Sequence, residues 1–272
     1  MKEAGYTKKP FLTAGCLFII FLISFLSGSV YGQTKKKLYN PDIVYIGNSI
    51  THGVQLSNPN EEAPPATATK YVASQKGAGT VKFLNRGRSG FTTVDFLPSD
   101  SGILKQVIEA SRKFHNDAQR LLVFSISLGT NDSAEKGPKG SPVDPVAYSQ
   151  NLKSIADKLL SEFPGCRIIF QQPIWYSPNT YNGSKYMAEG LARLQSYFPV
   201  LKSLVDKYSL SNPGQVFLGD TKAFTYFRKH YLTDLIPEKG NAGTFYLHPN
   251  KKGAEVLGDL WGKAIYKCIS KN

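Results

Sequence analysis

The chain has 272 residues, 41% of them apolar and 12% aromatic. That is enough to bury one sizeable core and excludes a disordered or fibrous protein. Its 33 Lys and Arg against 20 Asp and Glu give a formal charge of +13, which attracts anionic surfaces, but no recognition helix or arginine–aromatic tract points to nucleic acid. A plain lysine-rich soluble surface is the expected reading, with acidic glycans or the cell envelope as the alternative partners.

The chain opens with Lys2, Lys8 and Lys9, an apolar run from Phe11 to Leu26, and then "SGSVYGQTKKK". That order predicts a secretory signal peptide over residues 1–32, cut ahead of Gln33, and hence an exported protein in the periplasm, at the cell surface or outside the cell. A retained membrane anchor is the alternative, although the run falls short of the about 20 residues a span needs. Cys16 has Thr13 where a lipoprotein signal wants an aliphatic residue, so lipidation is not expected. Export permits a disulfide between Cys166 and Cys268; two buried thiols are the other reading.

Five β-rich runs follow, over residues 43–46, 80–84, 121–128, 167–171 and 215–218, each trailed by helix-compatible sequence. Apolar strands alternating with helices predict an α/β fold, a three-layer α/β/α sandwich of about five parallel strands with helices on both faces. The stretch "SNPNEEAPPATATK" after the first strand reads as a surface loop. There is no internal repeat or linker, so residues 33–272 form one domain.

The strands end in "GNS", "NRGRSG", "GTND", "QQP" and "GD". In an open parallel sheet ligands bind outside the carboxyl ends of the strands, so these turns line one functional edge. Ser49, after the first strand, is either a nucleophile or a helix cap. Gly87 serves a turn, and Arg88 is either a solvated charge or a contact for a substrate carboxylate. Near the end of the chain, Pro249 suits the first turn of a helix in which Ala254, Leu257, Trp261, Ala264 and Ile265 recur at helical spacing. His248 is then held on a loop by a rigid element. His52, His115 and His230 read as surface or core residues. No histidine pair has metal-ligand spacing and no cysteine or carboxylate cluster assists them, so neither a metal nor a cofactor is expected.

With "GNSIT" around Ser49, "NRGRSG" ending at Gly90, "GTND" around Asn131 and "HPN" beginning at His248, in that order, the chain resembles the SGNH hydrolases, or GDSL esterases and lipases. The resemblance implies a flavodoxin-like sheet and an esterase domain over residues 33–272. It assigns Ser49 as nucleophile and His248 as base, with the backbone N–H groups of Ser49 and Gly90 and the Asn131 amide as the oxyanion hole. Two positions depart from the pattern. Asn48 stands where aspartate is common, and either side chain can hold the turn. Phe245 stands three residues before His248, where the family usually has the aspartate that orients the histidine. Asp220, Asp234 and Glu238 are substitutes by position, but a backbone carbonyl accepting the imidazole N–H, giving a Ser–His dyad, is the favoured expectation.

Export and an acyl-transfer site, with aromatic-rich "PIWYSPNTYNGSKY", fit a sugar ring stacked on Trp175 or a tyrosine and an acetyl ester at Ser49; packing under a loop is the alternative for these rings. The expected substrate is a small-molecule or glycan ester, and the expected activity that of a carbohydrate O-acetylesterase. A lipase, lysophospholipase or thioesterase is the alternative, as is a noncatalytic glycan-binding module.

Overall fold

The computed structural model describes residues 39–99 and 102–270. The expected leader over residues 1–32, with Cys16, lies outside them. The elements in chain order are β1 (Pro41–Gly47), α1 (Ser49–His52), α2 (Pro59–Glu62), α3 (Pro64–Ser74), β2 (Lys82–Gly87), α4 (Ile103–Phe114), β3 (Leu121–Ser127), α5 (Pro145–Glu162), β4 (Arg167–Phe170), α6 (Met187–Ser211), β5 (Val216–Leu218), α7 (Ala223–Asp234), β6 (Leu235–Gly240), β7 (Gly243–Pro249) and α8 (Lys251–Ile269).

Strands β1 to β5 form one parallel sheet in the order β2-β1-β3-β4-β5. Helices cover both faces, α4, α5 and α6 in succession on one, α3 and α8 on the other. This is the expected α/β/α sandwich, and its strand order is the flavodoxin-like one. Every residue of β1 is buried, which is why its sequence is continuously apolar from Ile43 to Ile46. The chain leaves β1 toward β2 on one side and returns to β3 on the other, so the topological switch point lies between the ends of β1 and β3. Ser49 and Asn131 are in the turns that follow those two strands.

Two local expectations are corrected. The "SNPNEEAPPATATK" stretch forms α2 and most of α3, because Pro59 and Pro64 occupy first-turn positions where a missing N–H costs nothing. α3 lies close against α8: a Cβ at Gly258 would sit 2.5 Å from Thr67 Cβ, and one at Gly262 2.7 Å from Tyr71 Cβ. His248 is on a strand, not a loop, because β6 and β7 form an antiparallel hairpin closed by Asn241 and Ala242. Pro249 therefore ends β7, and Asn250 caps α8 by accepting from the Gly253 N–H. Cys166 is a buried free thiol whose pKa burial pushes up to about 12, so the disulfide that export would permit is not formed.

The end of β2 packs directly on α1. A Cβ at Gly87 would overlap the backbone nitrogen of His52 and lie 2.8 Å from its Cα. Gly87→Ala should therefore cost about 1–3 kcal/mol, as overpacking against a fixed backbone does; urea unfolding measures it, and an unchanged midpoint would show that α1 yields freely.

Candidate active site

The site begins where β1 stops. Asn48 is the N-cap of α1, its side chain accepting from the Ile50 N–H at 3.0 Å. The cap is thus Asn48, and Ser49 is the first helical residue with its hydroxyl free for other work. Its Oγ lies 2.9 Å from His248 Nε2.

The other imidazole nitrogen meets a carboxylate. Glu238 Oε1 and Oε2 lie 2.9 and 3.1 Å from His248 Nδ1, and Oε1 also accepts from the His248 backbone N–H at 3.2 Å. A carboxylate only accepts, so Nδ1 carries the proton and Nε2 is left to accept from the Ser49 hydroxyl. The expected Ser–His dyad is corrected here: an acid is in place. In the hairpin register Glu238 is directly opposite Phe245, so the carboxylate stands across from the position where the family pattern has it. Phe245 itself is buried. The other two candidates are committed elsewhere. Asp220 accepts from the Lys222 and Ala223 N–H groups at the start of α7. Asp234 binds Tyr226, Thr233 and Lys252.

Glu238 has one more partner, Gln55, whose Nε2 donates to Oε2 at 2.6 Å. Gln55 is not glycine yet has φ +69°, a conformation held only where surroundings enforce it. Burial pushes the Glu238 carboxyl up, but the His248 and Gln55 hydrogen bonds and the His248 charge outweigh it and hold the group below the usual range. Glu238 therefore stays ionised at neutral pH.

The oxyanion candidates lie beside Ser49. The Arg88 N–H donates to the Gly47 carbonyl at 2.9 Å, which pins the turn after β2 against the end of β1. Gly90, two residues on, has φ +80° and open space around its Cβ direction, a conformation that suits glycine. Asn131 Nδ2 donates to the Phe91 carbonyl and Oδ1 accepts from the Tyr186 hydroxyl, both at 2.8 Å. A carbonyl can only accept, so the amide orientation is settled and the second N–H of Nδ2 remains available. Behind it, buried Asp132 accepts from the Thr93 N–H at 2.9 Å and from the Thr93 hydroxyl. The structure thus brings Ser49 and His248 into contact and sets Gly90 and Asn131 on the same edge.

In the sequence Glu238 stands only as one of three substitutes by position. The signal for it was "GNAG" between two β-compatible runs, which is a hairpin pattern. Trp175, offered as a sugar-stacking ring, is buried against Tyr231 with ring centroids 5.1 Å apart; here the packing alternative holds. Of the remaining histidines, His115 pairs with Asp42, His230 stacks on Tyr226, and His52 is exposed beside Ser89.

The chain belongs to the GDSL-like lipase/acylhydrolase family, whose model matches residues 45–256. A comparison with curated proteins finds no match. Among solved structures it is similar to a lipase/acylhydrolase from Enterococcus faecalis, at 19% identity over 84% of this chain and 96% of that one, TM-score 0.54. It is also similar to a carbohydrate acetylesterase from Sinorhizobium meliloti, at 16% identity over 84% and 99%, TM-score 0.56. A third is the aryl esterase of M. smegmatis, at 14% identity over 84% and 98%, TM-score 0.53. At these identities the likeness is one of fold.

Asp132 makes the site's framework pH-dependent. Burial raises its carboxyl to about 6, against the lowering effect of the Thr93 bonds. Between about pH 4 and 6 the folded state holds a proton that the unfolded state has released, so stability falls as pH rises through that window and levels above it. A shift of about two units corresponds to about 3 kcal/mol. Urea unfolding at pH 4.5 and 7 should show a loss of that order in the parent and a clearly smaller one in Asp132→Asn.

Proposed function

We propose that this chain is an exported serine esterase that removes short acyl groups, chiefly acetyl, from carbohydrate. The observation that carries the reading is the unbroken run of contacts from Ser49 Oγ through the His248 ring to Glu238, on the edge that also holds Gly90 and Asn131. Ser49 Oγ attacks the ester carbonyl as His248 Nε2 takes its proton, and Glu238 stabilises the imidazolium. The tetrahedral oxyanion is bound by the Ser49 and Gly90 N–H groups and the Asn131 amide. His248 gives the proton to the departing sugar oxygen, leaving an acyl-serine. Water, deprotonated by the same nitrogen, then releases the acid and restores Ser49.

The presence of a carbohydrate acetylesterase among proteins of this fold supports the sugar ester, and export rests on the leader-like sequence at the N-terminus. Labelling by a phosphonate ester tests the nucleophile: the folded parent should be modified at Ser49 and Ser49→Ala should not. A folded parent that resists labelling would leave only a noncatalytic glycan-binding module. Acetate release from acetylated xylan, pectin and peptidoglycan fragments tests the substrate.

Ser49→Ala and His248→Ala should each abolish hydrolysis, and the double variant should be no worse than either, because the two act as one unit. Glu238→Gln should lower kcat by up to about 10⁴-fold, while Asp220→Asn and Asp234→Asn stay within about tenfold of the parent. A Glu238→Gln enzyme of parental activity would return the site to a dyad.

Asn131→Ala should lower kcat by about 10²–10³-fold with little change in KM, as loss of one oxyanion donor does. A rise in KM alone would make Asn131 a substrate-binding residue.

A further inference from the structure

Immediately before Gly90 the chain forms one wall of a cleft of about 220 Å³ lined by His52, Gly87, Arg88, Ser89 and Phe91. His52 comes from the nucleophile's own helix, α1, and Arg88 is tied through its N–H to Gly47. The cleft is therefore fixed relative to Ser49. Arg88 and Gly90 are two residues apart and so no more than about 7 Å along the chain, a span comparable with one sugar residue.

The Arg88 side chain is arranged in advance of any ligand. Its Nη2 donates to Gln106 Oε1 at 3.2 Å, and its guanidinium carbon lies 6.0 Å from the centre of the Phe91 ring. Neither partner carries a charge. Arg86, two residues earlier, keeps a buried Nε that meets no acceptor in the protein, and burial and then the Arg88 charge push its pKa down. Among the described residues no carboxylate forms an ion pair with either. Elsewhere Arg112 pairs with Glu162 and Arg120 with Asp42, while Arg193 donates to the Ser133 carbonyl. Two neighbouring guanidiniums without a counter-charge repel each other, and an anion bound upon Arg88, the one of the two that lines the cleft, lowers that cost. A planar fork with spare N–H donors matches a carboxylate, and the exposed Ser89 hydroxyl adds a neutral donor.

We propose that this cleft is a carboxylate-binding subsite, so that the ester hydrolysed at Ser49 is carried by an acidic, uronic-acid-type sugar. The proposal rests on the esterase reading above. The carboxylate binds Arg88 while the acyl carbonyl is held between Ser49 and Gly90, so the subsite acts on substrate affinity and orientation and takes no part in bond making.

The test compares a mono-acetylated methyl glucuronoside with the equally acetylated methyl glucoside, which differ only at C6, a carboxylate in one and a hydroxymethyl group in the other. The parent should favour the glucuronoside at least tenfold in kcat/KM, mainly through KM, and added NaCl should reduce that preference. Arg88→Gln should lower the ratio of the two kcat/KM values at least tenfold and Arg88→Lys should restore part of it, since lysine keeps the charge but not the fork. Lys207→Gln, on the exposed side of α6, should leave the ratio unchanged, which separates a subsite from general surface charge. Equal rates on the two sugars, or equal losses on both in Arg88→Gln, would overturn the proposal. Hydrolysis of 4-nitrophenyl acetate, lost in Ser49→Ala, reports on the esterase reading separately. Should no turnover be found, calorimetry of glucuronate with the Ser49→Ala protein still decides: binding weakened at least tenfold by Arg88→Gln supports the subsite, and no binding, or binding indifferent to Arg88, refutes it.

Discussion

The contact between Glu238 and His248 Nδ1 is the constraint on which the rest of the site depends. It decides which imidazole nitrogen bears the proton, and so whether Nε2 can accept from Ser49 at all. A histidine with the opposite tautomer would present an N–H to the serine hydroxyl and could take no proton from it. The contact also holds the ring in place, because the same carboxylate accepts from the His248 backbone N–H. Side chain and main chain of one residue are thus fixed by one acid.

That acid reaches the ring through the hairpin. β6 and β7 stand apart from the parallel sheet, and their pairing puts Glu238 across from Phe245. Two roles that the family pattern assigns to one short segment, orienting the histidine and packing its loop, are divided between paired strands. Position 245 is then free to be aromatic and buried. Gln55 closes the arrangement from the Ser49 side, since it follows α1 by three residues and donates to the outer oxygen of Glu238. Its left-handed backbone costs on the order of 1 kcal/mol, a cost offset by a charge-assisted hydrogen bond.

The sheet was legible in the sequence because each of its strands is buried on both faces or ends in a polar turn, and both features are local. Ile43–Ile46 and Arg167–Phe170 could be placed from composition alone. Ser49, Gly90, Asn131 and His248 were legible because each belongs to a short motif. Glu238 was not, because its role follows from a register between two strands, and register is not a property of either strand by itself. The helices at Pro59 and Pro64 were hidden for a related reason. Their proline- and threonine-rich sequence has weak helical preference, and α3 is held by the close approach that Gly258 and Gly262 allow on α8.

An oxyanion hole works only if its donors keep their spacing while charge develops, since donors that must reorganise lose the advantage over water. For the donors proposed here, that spacing is set by bonds between loops. Asn85, within β2, donates to the Thr51 carbonyl of α1; Phe91 accepts from Asn131; Thr93 binds Asp132, and Asn151 of α5 binds Thr93. Tyr186, at the start of α6, holds the far side of the Asn131 amide, and Ser177 exchanges bonds with Tyr246 of the histidine-bearing strand. The turns after β1, β2 and β3 and the hairpin are therefore joined without a gap. Asp132 pays for its place in that network with a buried carboxyl whose charged form is disfavoured, yet the Thr93 bonds it accepts couple the Gly90 turn to the Asn131 turn. A neutral residue there would relieve the burial and loosen the coupling, so the cost in stability and the fixed spacing of the donors have one origin.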